Sequence, residues 1–194
     1  MWDKIVWVIG GYLIGSISVA LLVATVKDVN LRAQGSGNLG ATNVARVIGK
    51  KWGLLVLVLD ALKAYIPTYF AMQTFTSPWW HVGVGVSVVV GHSLSVFAQF
   101  KGGKGVAPAL GMLLALNPVV SASIVTLSIT VMAITKIVSL GSILGCLLIP
   151  IGFYLGAAPI EYTLLVTLMS VFIIWRHRSN ISRLLQGKEN KFNG

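Results

Sequence analysis

The sequence predicts an all-α, polytopic transmembrane bundle of about seven helices, some of them short, with the N-terminus outside and the C-terminus cytoplasmic. Three observations predict it. Of the 194 residues, 56% are hydrophobic and only 10% charged, and the mean hydropathy is +0.85; long apolar runs produce such values and soluble domains of this size do not. The formal net charge is nevertheless +10, so the cations are gathered outside the apolar runs. Finally, those cations fall in alternate loops, the pattern that orients membrane proteins. A basic face of this kind has three candidate partners: anionic membrane lipid, nucleic acid or small phosphorylated molecules. Nucleic acid is set aside because the basic residues sit in short loops between spans.

A helical span needs about 20 apolar residues. Residues 5–26 qualify, and they are expected to be a retained first span, because no basic stretch precedes them and no clear A-x-A site follows. Residues 27–51 form a polar, glycine-rich loop. Residues 52–73 are a second span, followed by a short uncharged loop that ends in the interfacial pair Trp79 and Trp80. Residues 81–100 are a third span, ended by Lys101-Gly102-Gly103-Lys104-Gly105. The uncharged stretch 106–135 is divided at Asn117-Pro118, since proline cannot continue the preceding helix. Two short antiparallel helices are expected there, the first barely long enough to cross. Spans over 137–157 and 160–175 follow, with a break at Ala158-Pro159, and a basic tail runs over 176–194.

With seven crossings, Lys27, Arg32, Arg46, Lys50, Lys51, Lys101, Lys104, Lys136, Arg176, Arg178, Arg183, Lys188 and Lys191 all fall inside, leaving Lys4 outside and Lys63 within a span. Five crossings, with re-entrant segments making up the rest, satisfy the rule as well. Small residues four apart, at Gly11/Gly15, Gly141/Gly145 and Gly152/Gly156, mark close helix packing. No internal repeat is visible. Residues 1–194 are expected to form a single integral membrane domain.

Several clusters are candidates for chemistry. In Gly35-Ser36-Gly37-Asn38-Leu39-Gly40-Ala41-Thr42-Asn43, the glycines match G-x-G-x-x-G. No strand precedes them, and Asp60, which lies 20 residues beyond Gly40, is inside a span, so a dinucleotide fold is excluded. The underlying physics remains: glycines let backbone N–H groups converge on an anion, Ser36, Asn38 and Asn43 add side-chain donors, and Arg46 can grip phosphate. A flexible connection with glycine and asparagine at its turns is the bland alternative. Lys101 and Lys104 flank Gly102 and Gly103, with Gly105 following; the spacing is not that of a Walker A loop. Here the alternatives are a phosphate loop and an interfacial anchor. His92, Ser95 and Gln99 would share one face if their helix continued. Asp60 and Lys63, three apart within a span, are expected to pair. Ser142, near the inner end of its span, orients a hydroxyl or bonds back to its own helix. In the tail, Arg176, Asn180 and Arg183 share a face if the helix runs on, with His177 among them and Glu189 beyond. No metal site and no G-x-S-x-G nucleophile elbow is visible, and Cys146 is the only cysteine, so no intrachain disulfide can form.

Taken together, Gly35 through Asn43, Lys101 through Ala107 and His177 through Glu189 resemble the three motifs of the bacterial PlsY acyl-phosphate:glycerol-3-phosphate acyltransferases. The H-x-x-x-x-D motif of commoner glycerolipid acyltransferases is absent. The resemblance covers nearly the whole chain and implies the following. Fatty acyl passes from acyl-phosphate to the sn-1 hydroxyl of glycerol 3-phosphate, giving lysophosphatidate and phosphate without a cofactor. The enzyme sits in the bacterial inner membrane with its active site facing the cytoplasm, coupled to the enzyme that makes acyl-phosphate. Lys104, Ser142, His177 and Asn180 are the implied catalytic residues. Ser36, Gly37, Asn38, Gly40, Asn43, Arg46, Lys101, Gly102, Gly103, Gly105, Arg176, Arg183 and Glu189 are the implied substrate- and phosphate-binding residues. Either His177 or the substrate phosphate takes the proton. A transporter or flippase for a phosphorylated solute or lipid is the alternative function; the missing repeat and the clustering of polar residues at one surface count against it. A scaffold that binds acidic lipid explains the charge but not the paired glycine loops.

Overall fold

A computed structural model describes residues 2–192; the last residues of the basic tail, 193–194, lie outside them. Among the described residues there are helices and no strands. They are α1 (Trp2–Ser16), α2 (Val19–Val26), α3 (Ala41–Val47), α4 (Lys50–Thr74), α5 (Pro78–Ser93), α6 (Val106–Leu116), α7 (Pro118–Thr135), α8 (Val138–Leu155), α9 (Ile160–Arg176) and α10 (Arg178–Leu185), with a 3-10 turn at Val96–Ala98. Large apolar side chains such as Leu54, Phe70, Leu147 and Leu168 face outward while Asp60, Ser93, Asn43 and His177 are buried. That is the reverse of a water-soluble protein and suits a lipid solvent.

Five stretches are long and apolar enough to cross a bilayer, and a sixth is added if α9 and α10, bent by 58°, count as one. The helix α6 has 11 residues and rises about 16 Å, roughly half of a hydrocarbon core of about 30 Å. The seven expected apolar segments are therefore all present, but α6 is too short to cross alone.

The chain divides into two compact units, Met1–Leu116 and Asn117–Gly194. In the first, α5 with its following turn is the most enclosed span, 67% buried over its apolar window. The Gly11/Gly15 pair of α1 lies on it: a Cβ on Gly15 would come within 2.2 Å of the Val88 carbonyl oxygen, so only glycine allows this approach. The same holds for α6 on α4, where a Cβ on Gly111 would meet the backbone of Ala61.

The first span, expected to be continuous, is broken at Ile17-Ser18. The cause is local. The Ser18 hydroxyl caps α2 by accepting from the Leu21 N–H, so the carbonyls of Ser16 and Ile17 lose their helical partners. Side chains from elsewhere in the unit replace them: the Ser95 hydroxyl donates to Ser16 O and the Lys63 ammonium to Ile17 O.

In the second unit, α7 and α8 form an antiparallel hairpin. Gly141 faces Ser128 and Met132, and Gly152 faces Val120 and Ile124. Lys136 closes the hairpin in the left-handed region, at φ 62°.

Candidate active site

The loop between α2 and α3 is organised around one side chain. Asn43, 1% exposed, accepts the Ser36 N–H at 2.8 Å and donates its amide to Leu31 O at 3.3 Å and Gln34 O at 3.2 Å. Gly35 and Gly37 take φ values of 61° and 69°, which let the loop close around that amide. Leu31, Leu39 and Val44 pack beneath it with Val56 and Ala98. Asn43, a candidate substrate contact, has its amide engaged by the loop's own backbone and braces the loop. The Gly37 N–H is likewise taken up, by Gln34 O. Gly40 caps α3 with an extended backbone. Ser36 and Arg46 are left exposed and Asn38 half-buried.

The loop after α5 packs against the first. The helix stops at Ser93, so His92, Ser95 and Gln99 do not share a helical face as expected: Ser95 caps the 3-10 turn and Gln99 is left-handed. The chain then doubles back, with the N–H groups of Gly102 and Gly103 donating to Ser93 O and His92 O, each at 3.2 Å. Both N–H groups are thus engaged by the end of α5. The purpose of the glycines is proximity: a Cβ on Gly103 would lie 2.2 Å from His92 Nε2 and 2.9 Å from Leu39 O. The Arg32 guanidinium donates to Ala98 O at 3.0 Å, a second tie between the loops. Lys101 is exposed, Lys104 half-buried and Gly105 buried, the last at φ 92° where α6 begins. The first unit thus carries Lys104, Lys101, Ser36 and Asn38 on two abutting loops, with Arg46 on α3 just after the first.

Asp60 and Lys63 pair as expected, at 2.7 Å. The sequence did not reveal that Lys63 also lies 3.1 Å from His92 Nδ1.

In the second unit α9 ends at Arg176, and the bend at His177 sets α10 at 58° to it. The bend breaks the helical register that would have put Arg176, Asn180 and Arg183 on one face. The buried His177 ring lies with Nδ1 2.8 Å from Ile173 O; a carbonyl only accepts, so Nδ1 carries the hydrogen and Nε2 is the acceptor of the neutral ring. Ser142 Oγ donates to Val138 O at 3.0 Å, the back-bonding alternative, and its oxygen retains acceptor capacity. Arg176 is half-buried.

Glu189 organises this unit's polar residues. Its Oε1 accepts from Asn180 Nδ2 at 2.6 Å and Ser139 Oγ at 3.0 Å, and its Oε2 pairs with Arg183 Nε at 2.7 Å. The side chain is 6% exposed. Held in this way, Glu189 braces Asn180 and Arg183. Burial alone pushes the carboxyl's pKa up. The hydrogen bonds from Arg183, Asn180 and Ser139, with the charge of Arg183, outweigh burial and hold it below the usual glutamate range. Its stabilising contribution is therefore complete above the unfolded value of about 4.3 and is lost as pH falls through the lower folded value. We expect the melting-temperature difference between wild type and Glu189→Gln in detergent to be constant at neutral pH, at the equivalent of about 2 kcal/mol, and to shrink under acid. An unchanged difference down to the acid limit would refute the brace.

No group of three or more His, Cys, Asp or Glu able to hold a metal occurs among the described residues. The family model described as glycerol-3-phosphate acyltransferase matches residues 5–187. Curated glycerol-3-phosphate acyltransferases are similar throughout. That of Rippkaea orientalis is 41% identical, over 95% of this chain and 90% of its own, and that of Aquifex aeolicus 41%, over 95% and 97%. A crystal structure of PlsY, described as an integral membrane glycerol 3-phosphate acyltransferase in its glycerol 3-phosphate form, matches with TM-score 0.96 and 40% identity over 98% of this chain and 96% of that one. A lysophosphatidic acid form matches with TM-score 0.93 and 38% identity, over the same shares.

Proposed function

For this chain, which belongs to the PlsY family of glycerol-3-phosphate acyltransferases, we propose that the acyl donor is an acyl-phosphate and the product lysophosphatidate. The observation that carries this reading is the pair of abutting loops in the first unit. They carry Lys104, Lys101, Ser36 and Asn38, with Arg46 on the helix that follows the first of them. A mixed anhydride of a fatty acid with phosphate is an activated donor whose leaving group is itself a phosphate, the charge that these cations suit.

The acceptor hydroxyl attacks the acyl carbonyl, the bond from carbonyl carbon to phosphate oxygen breaks, and phosphate leaves. Lys104 and Arg46 neutralise phosphate charge, most strongly as it grows on the leaving group. Asn180, Ser142 and His177 orient the acceptor. The proton of the attacking hydroxyl goes to substrate phosphate. His177, at the bend between α9 and α10, then serves to position the acceptor and is not required as the base. The loops that carry Lys27–Lys51 and Lys101–Gly105 and the segment after α9 face the cytoplasm of a bacterial inner membrane, as the distribution of Lys and Arg supports. Acyl-phosphate then arrives from the enzyme that makes it.

The test is donor choice. Purified protein given glycerol 3-phosphate is expected to release phosphate and form acylated product with acyl-phosphate, and to form none with acyl-CoA or acyl carrier protein. Equal rates with a thioester donor would overturn the proposal and leave the acceptor specificity standing.

A further inference from the structure

The buried ionic cluster inside the first unit is assigned no role by the reaction. The Lys63 ammonium hydrogen-bonds Ile17 O at 2.8 Å and His92 Nδ1 at 3.1 Å, and Asp60 Oδ1 is its ion-pair partner at 2.7 Å. His92 Nδ1 also lies 3.6 Å from Asp60 Oδ1, which is too long for a hydrogen bond. Lysine only donates, so Nδ1 accepts from Lys63 and the ring hydrogen of neutral His92 is on Nε2. That fixes ring orientation as well as tautomer. The Nε2 edge is the part that meets Gly103, where any Cβ would come within 2.2 Å of it. The carbonyl of His92 itself holds the Gly103 N–H at 3.2 Å. One residue therefore contacts the loop twice, through ring and backbone, one position before Lys104.

We propose that Asp60, Lys63 and His92 form a positioning relay: the ion pair anchors the His92 ring, and the ring sets the height of Gly103 and hence of the Lys104 ammonium over bound phosphate. The relay rests on the phosphate-binding reading of Lys104. It also joins two features that look unrelated. Asp60 fixes Lys63, Lys63 bridges the break between α1 and α2, and the same ammonium orients the ring beneath the loop. A chain needing only to neutralise a membrane-buried lysine would be satisfied by the carboxylate; the histidine contact adds directional control.

The test separates placement from folding. His92→Asn keeps an acceptor near the Nδ1 position for Lys63 and removes the ring edge under Gly103. We expect KM for at least one phosphate substrate to rise by between about 10- and 100-fold. KM does not depend on the folded fraction, so a purely structural role would lower apparent kcat and melting temperature at unchanged KM. The charge-free double variant Asp60→Asn/Lys63→Met leaves the ring present but unanchored, and is expected to raise the same KM by a smaller factor. Where turnover is too low to follow, calorimetric binding of glycerol 3-phosphate and of inorganic phosphate reads the same shift. Wild-type KM values or affinities in both variants would overturn the relay. Lys104→Ala serves as the control: if it turns over normally, the phosphate reading has failed, whereas if it is inactive while both relay variants keep wild-type constants, only the relay has failed.

Discussion

Lys104→Ala is expected to reduce acyl transfer by about a thousandfold or more, with melting temperature close to wild type. Lys104 is half-buried at the end of a loop whose backbone is fixed by Ser93, His92 and the neighbouring Leu39 segment. A cation held in that way needs little reorganisation when charge develops on a departing phosphate, so its contribution is larger than that of an exposed one. Lys101 is the internal comparison. It is exposed on the same loop, and Lys101→Ala is expected to lower turnover by about tenfold at most, with the loss masked by added salt. Lys104→Arg keeps the charge but replaces a point donor with a wide planar fork, so it should fall between wild type and alanine. Phosphate release from acyl-phosphate, followed with each variant in the same detergent, checks the ranking. Full activity in Lys104→Ala would remove the loop from the mechanism.

The second large effect is expected at a residue that braces a loop. Asn43→Ala removes three hydrogen bonds from a site 1% exposed and leaves the Ser36 N–H and two carbonyls without their partner. A loss of about 3 kcal/mol of local stability follows, enough to open the loop and lower kcat/KM by about a hundredfold. Asn43→Asp distinguishes a brace from a ligand. It retains the acceptor for Ser36 N–H, but turns a second oxygen toward Leu31 O and Gln34 O, where an amide had donated. It should therefore be no better than alanine, despite its nearly identical shape. Hydrogen exchange over residues 31–40 reads the opening directly; protection equal to wild type in Asn43→Asp would show that the brace is unnecessary.

The helices were legible because membrane spans depend on composition over about 20 residues, a property that a single chain displays openly. What was hidden depended on one bond or one bend. The break in the first span comes from the Ser18 hydroxyl competing for the Leu21 N–H, and a serine in an apolar run usually bonds back to its helix instead. The stripe His92, Ser95 and Gln99 assumed that α5 continued, but it stops at Ser93 and the chain returns over its own end. The candidate residues were recognisable by type, whereas their division into contacts and braces was not. Asn43 and Glu189 look like ligands because buried amides and carboxylates must be hydrogen-bonded in either role, and sequence does not say to whom. One available signal was charge: a glutamate following a run of arginines is better placed to hold them than to approach phosphate.

The partners around Lys63 also bear on how the chain enters the bilayer. A lone lysine or aspartate at the centre of a span opposes insertion by roughly 2.5–3.5 kcal/mol. With Asp60 one turn away, α4 carries its own counter-ion and can partition as a neutral pair before α5 packs against it. The Ile17 carbonyl is already in place from the preceding segment, and His92 arrives with the following one. Segments before and after α4 in the chain thus complete the shell around one ammonium in order of their emergence.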